Sequence, residues 1–408
     1  MKTVFILVPQ LRLENALGFR NSVSLRPRKR SFQDIGIDAR SPERSPFGLR
    51  PSRFASRGLD SQTEFRNEEQ RGARFLERGA RLSTRCVAPR MTANLRGPVL
   101  ASMCAAEECC SEHDTKQDRN CGRGRRLGAA LAREYASDFE VVGFNHAQLD
   151  LGEPEQVRKT LGGLDFSALI NTAAQTNVDR CETQVEEAFA LNGEAPRVLA
   201  EICARKKARF IHISTDYVFD GEKREPYTEE DEARPISVYG ESKREGERRA
   251  LEANERALIV RVSWVFGPDR PSFIDWALGQ ARERDEVKAI ADKWATPTYT
   301  LDLAQMLKPF LPVAGITDPG CSGTLHLANS GECSWQEYAQ WALDCCHAEG
   351  IPMKARTIGG SSLEEMKSFI AKRPVYSVLS SAKYETLTGK APRSWREAVR
   401  DYVRKHLL

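Results

Sequence analysis

The segment Phe210-Ile-His-Ile-Ser-Thr-Asp-Tyr-Val-Phe-Asp-Gly221 decides the fold. Its first part, with Arg209, is the near-continuous apolar run of a strand buried on both faces. The run stops abruptly at Ser214, Thr215 and Asp216. Polar side chains at the carboxyl end of such a strand are where an open parallel sheet places its ligands. Helical patterns over Cys181–Arg205 and Val238–Ala253 flank this strand, and a second apolar strand, Ala257–Val262, follows. Upstream, Leu127–Tyr135 and Glu153–Leu161 read as helices, and Glu140–Phe144 and Ser167–Ile170 as strands. Strands alternating with helices at this spacing predict an α/β, Rossmann-like doubly wound parallel sheet. Residues after about 265 are less regular and are expected to form a smaller C-terminal lobe.

Composition divides the chain near residue 126. Residues 1–126 hold 25 Lys and Arg against 14 Asp and Glu, whereas the remainder holds 36 against 43. The acidic remainder gives no reason to expect nucleic-acid binding. Residues 9–120 lack sustained periodicity and are rich in Arg, Ser, Pro and Gly, a composition that predicts a disordered extension. The 11 cysteines show no Cys-x-x-Cys or Cys/His pattern at metal spacing, so no metal is expected. No apolar run approaches the ~18 residues of a membrane span, and a cytoplasmic protein is the expectation.

Tyr239 and Lys243, in Val-Tyr-Gly-Glu-Ser-Lys, stand at i and i+4 on a predicted helix and share a face. A tyrosine titrating near 10 is a poor proton donor or acceptor at neutral pH, and an ammonium one turn away stabilises its phenolate. A hydroxyl at the end of the neighbouring strand, Thr215 with Ser214 beside it, can hydrogen-bond a carbonyl oxygen that Tyr239 protonates. By spacing alone Trp264 reads equally well as a core aromatic, and His146 and His212 read as solvent-facing or internally satisfied residues rather than ligands.

In order and spacing, Ser214-Thr-Asp-Tyr-Val-Phe219, Val238-Tyr-Gly-Glu-Ser-Lys243 and Arg261-Val-Ser-Trp-Val265 resemble the dTDP-4-dehydrorhamnose reductase family of extended short-chain dehydrogenase/reductases. Asn171-Thr-Ala-Ala-Gln-Thr176, Asn192, Trp294-Ala-Thr-Pro-Thr298 and Arg373-Pro-Val-Tyr-Ser-Val-Leu379 extend the resemblance over roughly residues 122–408. The resemblance implies a catalytic group of Thr215, Tyr239 and Lys243. It implies a nicotinamide cofactor, NADPH or NADH, along Gly122, Gly128, Asp150, Leu151, Ala173, Ala174 and Thr176, with Tyr239 and Lys243 also touching it. Asp216, Tyr217 and Trp264 would contact a sugar nucleotide, and a homodimer is a further implication. The implied reaction reduces a nucleotide-linked 4-keto-sugar, dTDP-4-dehydro-L-rhamnose to dTDP-L-rhamnose. The rival reading is a non-catalytic relative resembling the methionine adenosyltransferase regulatory subunit.

On this reading residues 121–265 form the dinucleotide-binding core and 266–408 mainly a substrate-binding lobe. Residues 1–120 form a basic extension that is disordered or an artefact of translation. One part of the pattern is broken. A Gly-x-x-Gly-x-x-Gly turn would need glycine at 122, 125 and 128, and position 125 is arginine. Asp118-Arg-Asn-Cys121 is no apolar strand, so the first strand of the sheet is expected to be missing. The alternative, that Thr3–Val8 supplies it across a long insertion, runs against the usual shortness of connections.

Overall fold

The computed structural model describes residues 3–7, 126–312 and 320–408, with backbone only for residues 3–7. The sheet builds up from β1 (Thr3–Leu7), α1 (Arg126–Tyr135), β2 (Glu140–Phe144), α2 (Pro154–Gly162) and β3 (Ala168–Asn171). It continues through α3 (Val178–Thr183), α4 (Val185–Phe189), α5 (Ala195–Lys206), β4 (Arg209–Thr215), α6 (Val238–Ala253) and β5 (Leu258–Val262). A turn of π-helix, Ala190–Glu194, joins α4 to α5. Then come β6 (Val265–Phe266), α7 (Phe273–Glu283), β7 (Val287–Ile290), β8 (Trp294–Ala295), β9 (Thr298–Tyr299) and α8 (Thr300–Leu307). The chain ends with β10 (Gly323–His326), β11 (Cys333–Ser334), α9 (Trp335–Ala348), β12 (Ile358–Ser361), α10 (Ala382–Thr388) and α11 (Trp395–His406).

Six strands form one parallel sheet in the order β10-β5-β4-β3-β1-β2. The order reverses between β1 and β3, and the crevice at such a switch is where doubly wound sheets bind ligands. The expectation of a missing first strand is therefore corrected. Thr3–Leu7 occupies that place, pairing Thr3 with Glu140 on one side and Val4 with Ala168 on the other. Without it, the inner edges of β2 and β3 would present buried backbone N–H and C=O groups with no partner, a cost that folded proteins avoid. Loop-length statistics weighed only the connection and not the vacancy it fills. The basic segment 8–125, with Gly122 and Arg125, lies outside the described residues.

Both faces of the sheet are covered. On one, Leu127, Leu131 and Tyr135 of α1 pack with Leu303 and Leu307 of α8 against Ile170, Ile211 and Val260, and the Tyr135 hydroxyl donates to the Ala304 carbonyl. On the other, Val157 and Leu161 of α2 and Val198, Leu199 and Ile202 of α5 cover Leu169, Phe210 and Ile259. A separate aromatic-rich core, with Phe266, Tyr299, Tyr338, Trp395 and Tyr402, holds α7, α9 and α11 together. Helix α8 and strand β10 return from this carboxyl half to the sheet, so the lobe is not one continuous stretch of sequence. Among the described residues, no helix is long and apolar enough to cross a membrane.

If β1 fills the centre of the sheet, a chain truncated to begin at residue 120 should lose cooperative thermal unfolding. A chain joining Val8 through a short glycine-containing turn to Arg126 should melt at or above the temperature of the full chain. Cooperative melting of the truncated chain would show that the sheet does not need Thr3–Leu7.

Candidate active site

Strand β4 delivers Ser214 and Thr215 to the carboxyl edge of the sheet and runs into a single 3-10 turn, Asp216–Val218. The Thr215 hydroxyl caps that turn, accepting from the Tyr217 N–H at 3.2 Å and donating to Asp216 Oδ1 at 3.0 Å. Helix α6 starts beside it, with the Ser237 hydroxyl accepting from the Gly240 N–H. Two glycines let α6 approach this closely. A Cβ at Gly240 would stand 2.2 Å from the Tyr217 carbonyl oxygen, and one at Gly246 would stand 2.0 Å from that of Asn192. The approach sets the Tyr239 ring edge-on to Tyr217, centroids 5.6 Å apart. One turn on, Lys243 Nζ donates to the Ile213 carbonyl at 2.7 Å and lies 3.1 Å from His212 Nε2.

Ser214, Thr215, Asp216, Tyr217, Tyr239, Lys243 and Trp264 line one cavity of about 490 Å³, with Ala174 and Thr176 on its β3 side. The structure thus gathers the three residues expected to form the catalytic group and all three expected to face a sugar nucleotide. Ala173 is buried in the core beneath the same loop. Asp150 does not reach the described lining and accepts from the Gly152 N–H ahead of α2. Leu151 belongs to the buried core against which Val142 and Phe144 of β2 also pack. Gly128 lies within α1.

The loop after β3 is held by Asn192, from within the π-helical turn. Its Nδ2 donates to the Gln175 carbonyl and to Ser242 Oγ, and its Oδ1 accepts from the Gln175 N–H. A π-turn at this point is a recurrent mark of functional sites.

The sequence marks Asp216 as a sugar-nucleotide contact but not its surroundings, and it marks neither Lys293 nor the ties of Arg126. Asp216 is fully buried and accepts from Thr215, from Ser263 Oγ at 3.0 Å and from Ser377 Oγ at 2.7 Å. Burial pushes its carboxyl above the usual range, against the opposing pull of Lys293 and these three hydroxyls. Lys293 is itself wholly buried, donates to the Pro374 carbonyl at 2.7 Å and faces the rings of Tyr217 and Trp264. Arg126 spans from α1 to the loop beyond β6, donating to the carbonyls of Val265, Arg270 and Pro271. Apart from the Thr215–Asp216 contact, each is joined to its partners across a long stretch of chain, which no local spacing reveals.

Trp264 has φ +38°, a left-handed conformation that is strained for a bulky residue. Its indole is packed by Trp335 and Tyr338, and its buried Nε1–H has no protein partner among the described residues. Ser214 Oγ is likewise buried without one. Two orphaned polar groups on one cavity wall indicate a site shaped for a ligand with hydrogen-bonding atoms.

Comparison with known proteins points the same way. The model of the RmlD substrate binding domain matches residues 120–407. The chain is 34% identical to the spore coat polysaccharide biosynthesis protein SpsK of Bacillus subtilis, over 70% of this chain and 95% of that protein. Among solved structures it resembles a dTDP-4-dehydrorhamnose reductase of Clostridium acetobutylicum (33% identity, TM-score 0.63, covering 70% of this chain and 98% of that one). It also resembles the dTDP-4-dehydrorhamnose reductase of Bacillus anthracis in complex with NADP (30% identity, TM-score 0.63, covering 69% and 95%).

The buried lysine makes a pH-dependent prediction. Burial lowers the Lys293 ammonium from 10.5 to about 8, with Asp216 opposing. A depressed folded-state pKa means that stability linked to this group is present above the unfolded value and lost as pH falls through the folded one. Denaturant unfolding should therefore show the parent chain gaining stability relative to Lys293→Met as pH rises from about 8 to 10.5. A flat difference would place Lys293 in contact with water, and one that falls with pH would show its ammonium stabilised by Asp216 against burial.

Proposed function

The chain belongs to the RmlD substrate binding domain family, and on that premise we propose that it is an NAD(P)H-dependent reductase of a nucleotide-linked 4-keto-sugar, converting dTDP-4-dehydro-L-rhamnose to dTDP-L-rhamnose. The observation that carries the proposal is the convergence of Ser214, Thr215, Tyr239 and Lys243 on one cavity at the carboxyl edge of a parallel sheet. A regulatory relative has no need of this acid–base group, so the reductase reading is favoured.

The described residues suit a nicotinamide cofactor. Ala174 and Thr176 keep the β3 wall low where a flat ring would approach the loop that Asn192 tethers. In this reading Ala173, Ala174 and Thr176 line the cofactor, Lys243 also holds the nicotinamide ribose, and Asp150 and Leu151 lie toward the adenine. Gly122 and Gly128 belong to the pyrophosphate turn. When bound, NADPH or NADH supplies the hydride that reduces the keto carbon.

Tyr239 then donates its phenolic proton to the oxygen of that carbon, from a buried position beside the cavity. Thr215 turns the hydroxyl proton it gives Asp216 in this structure toward that oxygen, and Ser214 brings a hydroxyl without a protein partner among the described residues. Between them they orient the carbonyl for the transfer. Trp264, with its orphaned N–H, and Tyr217 and Asp216 on the cavity wall bind the sugar nucleotide. A cytoplasmic homodimer completes the proposal.

Tyr239→Phe should leave the fold intact and lower kcat by about 10²–10⁴, the usual contribution of a positioned proton donor. Retention of more than about a tenth of the parent kcat would remove Tyr239 from that role. Lys243→Ala should slow turnover and also weaken cofactor binding, read by fluorescence titration. Preserved turnover together with preserved affinity would refute both parts of its assignment.

A further inference from the structure

Lys293 is a wholly buried lysine that forms no ion pair among the described residues, where its one hydrogen bond goes to the Pro374 carbonyl at 2.7 Å. The backbone beside it is clamped by the carboxyl-terminal segment. The Trp294 N–H donates to the Val375 carbonyl at 2.7 Å, and the Ser377 N–H donates to the Trp294 carbonyl at 2.8 Å. This placement sets the ammonium over two rings at once, 5.2 Å from the centre of Tyr217 and 5.6 Å from that of Trp264. Both rings line the cavity, whereas Lys293 stands behind them and does not.

An ammonium buried without a carboxylate partner costs stability, and an apolar side chain of similar length would pack there without that cost. What the charge gains is the attraction of two ring faces. The rings also have neighbours of their own. Trp264, in its left-handed conformation, packs against Trp335 and Tyr338, and Tyr217 meets Tyr239 edge-on. We infer that Lys293, as an ammonium, is a positioning residue for the sugar-nucleotide wall, drawing Tyr217 and Trp264 into place. A cation over the indole also polarises it, so that the orphaned Trp264 N–H becomes a stronger donor to an oxygen of the ligand.

The charged and titratable groups around Lys293 leave it as the one that changes charge just above neutrality. From the turn after β4, Asp216 accepts three hydroxyl protons, as a carboxylate does. From the carboxyl-terminal segment comes Arg373, always charged and paired with Asp179 at 2.8 Å. Burial pushes Tyr217, Tyr338 beyond Trp264, and Cys333 on the strand paired with β8 upward, away from the neutral range. Asp292, next to Lys293 in the chain, is exposed and serves Ser362 and the Leu363 N–H.

The inference rests on the reading of the cavity as a sugar-nucleotide site and adds a charge requirement to it. Folding and binding then pull in opposite directions. As pH rises through about 8, loss of the buried charge favours the fold but releases the two rings, so affinity falls. By reciprocity, a ligand that binds the ammonium form about tenfold better raises the Lys293 pKa by about one unit. A lysine that served packing alone would change stability with pH and leave affinity unmoved.

The test begins with 5-fluorotryptophan labelling of the full chain without ligand, the Trp264 signal being identified by its loss in Trp264→Phe. Its ¹⁹F resonance should move as pH passes about 8 and stay in place in Lys293→Met. A resonance that is unmoved in the parent, or that moves equally in the variant, would overturn the inference whether or not the chain reduces any sugar. Titration with dTDP-L-rhamnose, which needs no turnover, follows. The parent Kd should rise about tenfold between about pH 7 and 9.5, while Lys293→Met binds with the weaker, alkaline affinity throughout. Equal affinity of the two chains near pH 7 would also overturn it. A parent that binds no dTDP-L-rhamnose would count against the sugar-nucleotide reading alone, because the fluorine spectrum decides by itself whether the ammonium sets the ring.

Discussion

A backbone N–H or C=O inside a covered sheet must find a partner, and in this chain that requirement falls on the space between β2 and β3. Thr3–Leu7 fills it with two parallel ladders. The order reversal between β1 and β3 exists only because that strand is there, and the crevice above it is the one the cavity opens from. Helix α1, which follows β1 in the logic of a βαβ unit, begins at Arg126 and still packs on the sheet as though the connection were short. Arg126 then ties this first helix to the carbonyls of Arg270 and Pro271, which line the same cavity. Position in the fold is thus set by what each element buries and pairs with, and the length of chain between elements matters much less.

Around the cavity a second constraint operates, the desolvation of a carboxylate. Asp216 is taken out of water and must be repaid in hydrogen bonds. Its three hydroxyl donors come from the end of β4, from Ser263 after β5 and from Ser377 near the carboxyl terminus. Arg373, four residues before Ser377, pairs with Asp179 on α3 at 2.8 Å. The two contacts fasten the carboxyl-terminal segment to the edge of the sheet where the chemistry is placed. They give a physical meaning to a sequence stretch that the family resemblance marks without explaining.

What could be read in the sequence was what lies close along the chain. The strand ending in Ser214 and Thr215 announces itself by an abrupt change of polarity, and Tyr239 and Lys243 by a spacing of one helical turn. Asn192 could be marked as a residue of interest, but its tie to Gln175 and Ser242 is made in three dimensions. Asp216 was assigned to the sugar nucleotide, while its place as a buried junction depended on Ser263 and Ser377. His212 reads as solvent-facing or internally satisfied, and the structure buries it beside Asn171 and Lys243. Lys293 carries no signal in the sequence, because a buried lysine is identified only by what surrounds it. Strand β1 was the instructive error. Its five residues are legible as an apolar run, but the length of the connection argues against them, whereas the decisive constraint is the unpaired strands on either side.

The separation of β1 from its neighbours bears on how fast the chain reaches its fold. Each ladder of β1 joins residues well over a hundred positions apart in the chain, as in the pairing of Thr3 with Glu140. If the connection behaved as a random chain, closing it would cost about 2–3 kcal/mol more than closing a short turn, a modest loss at equilibrium. The burden falls on the rate, because non-local pairing must be bought in entropy before it gains any contact. During synthesis β1 leaves the ribosome first, yet it has no partner until β2 and β3 have followed. Until then β2 and β3 wait with open edges, the condition in which chains associate with one another. Molecular chaperones should therefore matter more to this chain than to a relative whose first strand and first helix are joined by a short turn.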